Sequence, residues 1–262
     1  MKLYTKAEIL EVIREFLNKK SVQKREGVLE ILGPTGSGKT GFSLDVAEMF
    51  APAEILCVDS RQVYRDMDIS SAKIDITQMR GIPHWGLDLV SPEQDFSVYD
   101  FQKYAFEALD DILARGHLPV LCGGTMLWLD SVSENYIFDE DAQVKSSQKG
   151  TPRYDVLKIG IHWDREILYK RINERAKKQF ENGLVEETKN ILKKYKITRS
   201  ALTSFGYKEI KQYLDGEISL DEALATNQKR NRNYAKRQLT WWRGREDVLW
   251  VDGKTLSETL KS

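Results

Sequence analysis

The chain has 262 residues, of which 41% are hydrophobic and 31% charged, and its 40 basic and 40 acidic residues give a formal net charge of zero. This length suits one large domain, or a core domain with a smaller appendage. A neutral chain offers no overall attraction to nucleic acid, so any polyanion must be bound by a local cluster of basic residues.

The cysteines and histidines give no sign of a metal site. Cys57 and Cys122 are the only cysteines, and each lies in an apolar run typical of a buried strand. Such a pair indicates reduced core thiols in a cytoplasmic protein. The three histidines, His84, His117 and His162, are widely separated and form no zinc-ligand pattern with the cysteines.

The N-terminal segment predicts an amphipathic helix that packs on the core. Its apolar residues recur at helical spacing, and Thr5 with Glu8 forms a capping-box pattern. These apolar residues are Ile9, Leu10, Ile13, Phe16 and Leu17. Several glutamates argue against a transit peptide, and no apolar run reaches the length of a membrane span. We assign residues 1–26 to this helix and a polar linker, with partner binding as an alternative role, and expect no membrane association.

From Val28 onwards the pattern alternates between strand and helix. The predicted strands are Val28–Leu32, Glu54–Val58, Leu118–Leu121, Val156–Ile161 and Val248–Val251. The predicted helices are Lys39–Phe50, Phe101–Arg115, Asp164–Glu181, Val185–Tyr195, Ser204–Leu214 and Leu220–Trp242. We therefore expect an α/β fold, a P-loop NTPase-like parallel sheet flanked by helices, with a helical C-terminal part.

This pattern also divides the chain. Residues 27–132 form the P-loop core, and residues 153–262 complete it and add a helical, basic part. Between them, the segment 133–152 is polar and has no period, so we expect a mobile loop there.

The segment Gly33-Pro-Thr-Gly-Ser-Gly-Lys39-Thr40 predicts a phosphate-binding loop, because it follows a strand and opens a helix. Its glycines allow successive backbone amides to point at an anion, and the helix N-terminus adds partial positive charge. Lys39 supplies a full charge, and the Thr40 hydroxyl is placed to ligate Mg²⁺. The motif indicates a diphosphate site without specifying the reaction.

Two other strand ends supply polar side chains. Asp59 ends the strand that we expect to neighbour the phosphate loop, at the edge where open α/β sheets bind ligands. The next long strand ends in Gly123-Gly124-Thr125, whereas a hydrolytic ATPase would carry an apolar run followed by Asp. The glycine pair is compatible with a simple tight turn or with a close approach of Thr125 to a ligand.

Seven motifs occur in an order that resembles the tRNA dimethylallyltransferases, which prenylate the adenine 3′ of the anticodon. They are "GPTGSGKT", "DSRQVYRDMDISSAK", "GIPHWGLDLVSPEQDFSVYDF", "RGHLPVLCGGT", "RINERAKKQFENGLVEE", "SFGYKE" and "NRNYAKRQLTWWR". The resemblance covers roughly residues 28–251. It implies that the phosphate loop holds dimethylallyl diphosphate, with Mg²⁺, and that carbon is transferred instead of phosphate.

The resemblance also implies roles for particular residues. Lys39 and the loop residues Gly33, Pro34, Thr35, Gly36, Ser37, Gly38 and Thr40 would bind the diphosphate. Asp59 would accept the proton of adenine N6, and Thr125 would lie beside the diphosphate and the transferred group. Ser60, Arg61 and Gln62, together with Asp59, would grip the adenine once it is extruded from its stack. Arg171 and Arg175, one helical turn apart, would face the diphosphate unless they form a solvated surface paired with acids.

A basic helical stretch near the C-terminus predicts RNA binding. From Gln228 to Arg245 the chain carries basic residues and aromatics but no acid. The candidates for tRNA contact are Lys229, Arg230, Arg232, Lys236 and Arg237. Basic side chains interleaved with aromatics suit a phosphate backbone and unstacked bases. The alternative is a solvated basic helix whose aromatics lie in the core. The expected partners are thus a tRNA anticodon stem-loop and dimethylallyl diphosphate, bound by a monomer.

Two departures from the family pattern affect these expectations. The interval between the Gly-Gly-Thr strand and the "RINER" helix is too short to hold the helical insertion that typical members carry, so the chain looks like a short form. The family's usual Gly-Leu-Tyr after Gly-Gly-Thr is replaced by Met126-Leu127-Trp128, whose larger first side chain would narrow the site.

Three other functions remain open from the sequence. The missing insertion fits an enzyme that prenylates free adenine nucleotides, although a small nucleotide needs no basic helix. A P-loop kinase of small molecules is disfavoured by Gly123-Gly124-Thr125 and by the lack of an arginine-rich lid. A degenerate RNA-binding module would have no need for Lys39, Thr40, Asp59 and Thr125 together.

Overall fold

The architecture is that of a parallel sheet with helices on both faces. The structure is a computed structural model that describes residues 1–20, 26–138, 148–203 and 206–257. Its strands are β1 (Leu3–Tyr4), β2 (Gly27–Leu32), β3 (Ala53–Val58), β4 (His84–Trp85), β5 (Leu118–Gly123), β6 (Tyr136–Ile137), β7 (Gln148–Lys149), β8 (Asp155–His162) and β9 (Val248–Asp252). Within the described ranges, seven strands form one sheet in the order β1-β9-β8-β2-β5-β3-β4, and every neighbouring pair in it is parallel. The predicted fold class is confirmed.

Helices cover the sheet and make up most of the C-terminal part. They are α1 (Lys6–Lys20), α2 (Lys39–Met49), α3 (Asp68–Ser71), α4 (Val98–Ala114), α5 (Met126–Ser133), α6 (Arg165–Glu181), α7 (Leu184–Lys194), α8 (Arg199–Leu202), α9 (Tyr207–Leu214) and α10 (Leu220–Trp242), followed by a 3₁₀ helix at Gly253–Ser257. No helix in the described part of the chain combines the length and apolar character that crossing a membrane requires.

Two apolar layers hold the helices to the sheet, because successive residues of a strand point to opposite faces. On one face, strand residues such as Ile31 and Ile55 pack with side chains of α1 and α2. On the other, Leu32 and Leu56 pack with α4, α5, α7, α9 and the end of α10. Most buried side chains of both layers come from strands and helices that the sequence pattern predicted, whereas Trp128, Leu129 and Val132 come from α5, which it did not predict.

The N-terminal helix packs on the core as expected. The Thr5 amide donates to a Glu8 carboxylate oxygen at 2.7 Å, which caps α1. Ile9 and Ile13 are fully buried. The preceding β1 pairs with β9 at the edge of the sheet, a contact that two residues could not reveal in the sequence.

The prediction of a mobile loop at residues 133–152 needs correction. Ser133 still belongs to α5, and β6 pairs antiparallel with β7, so both ends of the segment are held in regular structure. Residues 139–147 lie outside the described part. The Ser204–Leu214 helix also starts later than predicted, at Tyr207, because Gly206 forms its N-cap; residues 204 and 205 are outside the described part.

Candidate active site

The phosphate loop joins β2 to α2 and has the backbone that an anion cradle requires. Gly36 and Gly38 have φ values of 77° and 94°, in the left-handed region that favours glycine. A Cβ on Gly36 would also lie 3.1 Å from Cγ1 of Ile172 on α6. The loop therefore depends on glycine for its conformation and for close packing against α6.

Lys39 lies at the floor of the cavity that the loop borders. Its Nζ donates to the carbonyl oxygen of Pro34 at 3.0 Å, which holds the ammonium group within the loop. Burial lowers the pKa of Lys39 to about 8. Lys39 therefore still carries its charge at neutral pH, and an anion bound in the loop would raise its pKa again.

The two arginines of α6 converge on the phosphate loop but do different things. Arg175 lines the cavity, and its Nη2 donates to the hydroxyl of Thr35 at 2.6 Å. Burial lowers the pKa of Arg175, as expected for a guanidinium held in a poorly solvated place. Arg171 donates from Nε to the carbonyl oxygen of Gly36 at 2.9 Å and lies 4.4 Å from the Trp163 ring centroid. Arg171 thus stabilises the loop by binding its backbone and does not line the cavity, whereas Arg175 faces the cavity.

Asp59 and Thr125 meet at the carboxyl ends of neighbouring strands. The Asp59 carboxylate accepts a hydrogen bond from the Arg61 amide at 2.8 Å, and the Thr125 hydroxyl accepts one from the Ser60 amide at 3.0 Å. One detail of the prediction was wrong: β5 lies between β2 and β3, so the strand that carries Asp59 is not the direct neighbour of the phosphate-loop strand. Thr125 follows that direct neighbour.

The glycine pair before Thr125 is required by close packing. A Cβ on Gly123 would collide with the carbonyl oxygen of Val58 on β3, and one on Gly124 would collide with the side-chain amide of Gln238. Because Gly123 and Gly124 have no side chains, β5 can approach β3 and α10 closely. This close approach brings Thr125 beside Ser60.

The three residues after Asp59 all line the cavity. The Arg61 guanidinium donates to the carbonyl oxygen of Ser200 at 2.5 Å, and the Gln62 amide donates to the Ser71 carbonyl oxygen at 3.3 Å. Both side chains are thus held by backbone carbonyls of other segments. Ser60, Arg61 and Gln62 form one wall of the cavity.

Helix α10 closes the cavity on the opposite side. Tyr234 donates to the carbonyl oxygen of Gly124 at 3.1 Å, and Gln238 donates to the same oxygen at 2.7 Å. Gln238 also accepts a hydrogen bond from the Thr35 amide at 2.9 Å. Sequence reasoning missed Gln238. Its spacing from buried Asn231 and Trp242 on one helix face is the signal that could have found it.

The basic residues of α10 divide into two groups. Lys229, Lys236 and Arg237 are exposed to solvent, and Arg237 also borders the cavity. Arg230 also borders the cavity but forms an ion pair with buried Glu209 on α9, and Arg232 donates to the Asn173 side chain of α6 at 2.6 Å. Arg230 and Arg232 therefore tie α10 to the protein. Lys229, Lys236 and Arg237 are therefore the basic residues of α10 that a polyanion could reach.

The aromatic residues at the end of α10 also divide. Trp242 is fully buried in the core, whereas Trp241 is 43% exposed and donates its indole N–H to Asp130 at 2.7 Å. For Trp242, the alternative interpretation, in which the aromatic residues of this helix lie in the core, is therefore correct. Tyr234 instead lines the cavity.

One cavity of about 530 Å³ joins these groups. Its inner part is lined by Ile55, Cys57, Ile74, His84 and Cys122, and Met126 and Leu127 also border the cavity. Cys57 faces Cys122 across the β3–β5 pair, and both are free thiols. Burial raises the pKa of Cys57, which keeps the thiol protonated and unreactive. His84 was not predicted to be near the site. In the described residues, no three acidic, histidine or cysteine side chains cluster in a way that could hold a metal ion.

Comparison with known proteins identifies one family. The family model for IPP transferases matches residues 62–149 and 140–245. The chain is 36% identical to the tRNA dimethylallyltransferase of a Thermoanaerobacter species, over 89% of the chain and 95% of that protein. It is 32% identical to the tRNA dimethylallyltransferase of Staphylococcus saprophyticus, over 89% of the chain and 93% of that protein. Its fold matches the crystal structure of a tRNA isopentenylpyrophosphate transferase from Bacillus halodurans with a TM-score of 0.78 and 34% identity, over 87% and 90% of the two chains.

These comparisons also bear on the short form. The alignment with the Thermoanaerobacter protein runs over 299 residues, more than the 262 of this chain, so that relative carries residues that this chain lacks. The two matches to the family model overlap at residues 140–149, between the Gly-Gly-Thr strand and α6, where the sequence indicated the missing insertion. The chain belongs to the tRNA dimethylallyltransferase family, as a short form.

Proposed function

We propose that the protein transfers a dimethylallyl group from dimethylallyl diphosphate to N6 of the adenine 3′ of the anticodon in tRNA. The observation that carries this proposal is the shared cavity. It brings the phosphate-loop residues Lys39 and Thr40, the strand-end residues Asp59 and Thr125, and the inner face of α10 to one place. The similarity to tRNA dimethylallyltransferases and the exposed basic residues of α10 favour tRNA over a free nucleotide as the acceptor.

The cavity is suited to hold a diphosphate as it becomes a leaving group. The loop amides, Lys39 and Arg175 converge on one end, where burial strengthens their attraction to an anion. Thr40 borders the same end, and its hydroxyl fits Mg²⁺, an ion that commonly takes one or two protein ligands and completes its shell with substrate phosphates and water. Bound Mg²⁺ would neutralise charge that develops on the diphosphate.

Asp59 is the base of the proposed reaction. The lone pair of adenine N6 is delocalised into the ring, so N6 attacks carbon more readily when a carboxylate accepts its proton. The bond from C1 of the prenyl chain to diphosphate oxygen breaks, the bond from C1 to N6 forms, and the N6 proton moves to Asp59. The Arg61 amide fixes one carboxylate oxygen, and Thr125 fixes the adjoining Ser60 backbone.

Access for RNA comes from the side of α10. An adenine stacked in an anticodon loop must be extruded to reach the cavity, at a cost of a few kcal/mol. Ser60, Arg61 and Gln62 line the wall against which the extruded base would rest. Lys229, Lys236 and Arg237 are exposed on the neighbouring helix and would contact the phosphate backbone. We further propose that the enzyme acts as a monomer in the cytoplasm.

A label-transfer assay tests the function. Purified protein, Mg²⁺ and radiolabelled dimethylallyl diphosphate are offered unmodified tRNA with adenine 3′ of the anticodon and, in parallel, AMP, ADP and ATP. We expect label in tRNA alone, and a tRNA in which that adenine is replaced by guanine serves as the matched control. Label in the free nucleotides would show instead that loss of the insertion accompanied a change of acceptor.

A further inference from the structure

The short helix α3 is held by a carboxylate from another part of the chain. Glu187 of α7 accepts hydrogen bonds from the backbone amides of Asp68 at 2.9 Å and Ile69 at 2.6 Å. It also accepts one from the amide of Ser70 at 3.0 Å. These amides lie in the first turn of a helix, where backbone N–H groups have no partner within the helix itself. Glu187 therefore supplies the acceptor that α3 cannot provide.

A buried tyrosine fixes the Glu187 carboxylate in turn. The hydroxyl of Tyr207 on α9 donates to it at 2.8 Å. Burial and the neighbouring carboxylate raise the pKa of Tyr207, so the hydroxyl keeps its proton and remains a donor. Neither Glu187 nor Tyr207 lines the cavity. Their influence on a bound substrate must therefore pass through α3.

Two glutamines hold the carbonyl groups of the same segment. Gln179 of α6 donates to the carbonyl oxygen of Ile69 at 2.6 Å, and Gln62 donates to that of Ser71 at 3.3 Å. Both the N–H groups and the C=O groups of α3 are thus bound by side chains from other segments. Because a helix of four residues has little hydrogen bonding of its own, its position depends on these contacts.

The inner side of this segment borders the cavity. Ser70, Ser71, Ala72 and Ile74 all line it, and so does Gln62. Gln62 belongs to the wall against which the extruded adenine would rest, and its side chain is bound to α3. A displacement of α3 would therefore displace the acceptor wall of the cavity.

The phosphate loop is held by a different set of contacts. Its hydrogen bonds run to Arg171 and Arg175 on α6 and to Gln238 on α10. These three contacts involve neither Glu187 nor residues 68–72. A change at Glu187 should thus disturb the acceptor side of the cavity and leave the diphosphate side in place.

On this basis, which rests on the proposed function, we propose that Glu187 is a positioning residue for the acceptor. By anchoring α3, it keeps Gln62 where the extruded adenine must rest for N6 to face Asp59. Glu187 touches neither substrate and takes no part in the proton transfer. A misplacement of about 1 Å caused by a change far from the chemistry can lower the rate about 100-fold. We therefore expect kcat/KM for tRNA to fall about 100-fold in Glu187→Ala, with an unchanged dissociation constant for dimethylallyl diphosphate.

The test measures kcat and KM with tRNA, and the dissociation constant for dimethylallyl diphosphate by calorimetry. Glu187→Ala removes every hydrogen bond that the carboxylate accepts. Glu187→Gln keeps one oxygen for the amides of Asp68 and Ile69, and its side-chain amide can donate to the oxygen of Tyr207. This conservative variant should therefore retain most of the activity that Glu187→Ala loses.

The matched control is the neighbouring glutamate. Glu186 is exposed on the same helix and forms an ion pair with Lys189 at 2.6 Å. Glu186→Ala removes the same charge from α7 without touching α3, and it should transfer to tRNA as the wild type does. Thermal melting of all variants shows whether each one is folded at the assay temperature.

Hydrogen exchange reports on α3 without any substrate. In Glu187→Ala, the amides of residues 68–70 should exchange faster, and those of the phosphate loop, residues 33–40, should be unchanged. Gln179→Leu releases the Ile69 carbonyl from the opposite side and should show the same selective loss with tRNA. It serves as the second variant if Glu187→Ala does not fold.

The outcomes separate this inference from the function. No transfer by the wild type would overturn the proposed function, and exchange at residues 68–70 would then decide by itself whether Glu187 holds the wall. Transfer by the wild type with an unchanged kcat/KM in Glu187→Ala would overturn the inference alone. Equal losses of tRNA transfer and donor binding in Glu187→Ala, or as large a loss in Glu186→Ala, would also overturn it, because a general loss of structure would then be the cause.

Discussion

Gln238 of α10 accepts a hydrogen bond from the backbone amide of Thr35 at 2.9 Å, although 203 residues separate them in sequence. The same side chain donates to the carbonyl oxygen of Gly124 at 2.7 Å and is 1% exposed. One buried amide therefore fixes the phosphate loop, the Gly-Gly-Thr turn and α10 relative to one another. The helix proposed to bind RNA is thus in direct contact with the proposed diphosphate site.

Replacing Gln238 by Leu should weaken donor binding and lower stability. The Thr35 amide would lose its buried acceptor, which costs about 1–3 kcal/mol. A loss of that size lowers the melting temperature of a domain this large by several degrees. Because the loop would no longer be held at Thr35, we expect KM for dimethylallyl diphosphate to rise about tenfold. Thermal melting and steady-state kinetics measure the two effects.

Gln228→Leu is the matched control for this change. Gln228 lies on the same helix and donates to the carbonyl oxygen of Asn173 at 3.1 Å, but it does not line the cavity. Its replacement should lower stability without raising the donor KM. An equal rise in KM for the two variants would mean that general loosening of α10, and not the contact with Thr35, is responsible.

Asp59→Asn should abolish transfer and leave donor binding nearly intact. An asparagine keeps the side-chain oxygen that accepts from the Arg61 amide but cannot take a proton from N6. Loss of a general base lowers turnover by about 10²–10⁴. Single-turnover rates measure the first effect, and calorimetry with dimethylallyl diphosphate measures the second. Asp59→Ala, which also removes the contact with Arg61, should behave similarly; an equal loss of binding and turnover in both variants would contradict the role of base.

The sequence was sufficient where a local pattern determines the structure. The phosphate loop can be recognised from its glycines, Lys39 and the helix that follows. The predicted limits of α10 agree with the structure, in which Ser219 and Glu222 form a capping box. The prediction for α4 began three residues late, at Phe101, because its capping box pairs Ser97 with Asp100 instead of Glu or Gln. A capping box in which aspartate takes the place of glutamate is thus the sequence signal that marks the start of α4.

The remaining features depend on contacts that no local pattern encodes. Strands of two residues, such as the one at His84–Trp85, are too short to show a period. The order of the strands in the sheet places β5 between β2 and β3. As a result, the direct neighbour of the phosphate-loop strand is the strand that ends before Thr125, and not the strand that ends before Asp59. His84 and Gln238 reach the cavity only through that tertiary arrangement.

Replacing Lys236 and Arg237 together by Ala should weaken tRNA binding and flatten its dependence on salt. Both side chains are exposed on α10, so each would release condensed counterions when it meets a phosphate. Each lost contact should reduce the slope of log K against log salt by about one. Filter binding between about 50 and 200 mM salt measures this slope, because the affinity of a protein that contacts phosphates falls steeply over that range.

The control for this pair removes the same charges elsewhere. Arg14 and Lys19 are exposed on α1, which packs against β1, β2 and β9 and does not line the cavity. The double change to Ala at Arg14 and Lys19 should leave the slope unaltered. A flatter slope for α1 and an unchanged one for α10 would place the RNA surface on the N-terminal helix.

Affinity for the diphosphate should fall as pH rises through about 8. Burial lowers the pKa of Lys39 to about 8, so the free protein loses this charge at higher pH. Phosphate groups complete their ionisation near pH 6, so the ligand does not change in that range. Binding above pH 8 must take up a proton, and the dissociation constant should rise about tenfold per pH unit. Calorimetry from pH 7 to about 9.5 follows this change.

The Lys39→Arg variant is the control. Its side chain keeps its charge throughout and should show a flat dependence of the dissociation constant on pH, since a guanidinium stays protonated. The same steep fall in the Arg variant would assign the titration to another group, and a flat wild-type profile would show that Lys39 binds the diphosphate without its charge.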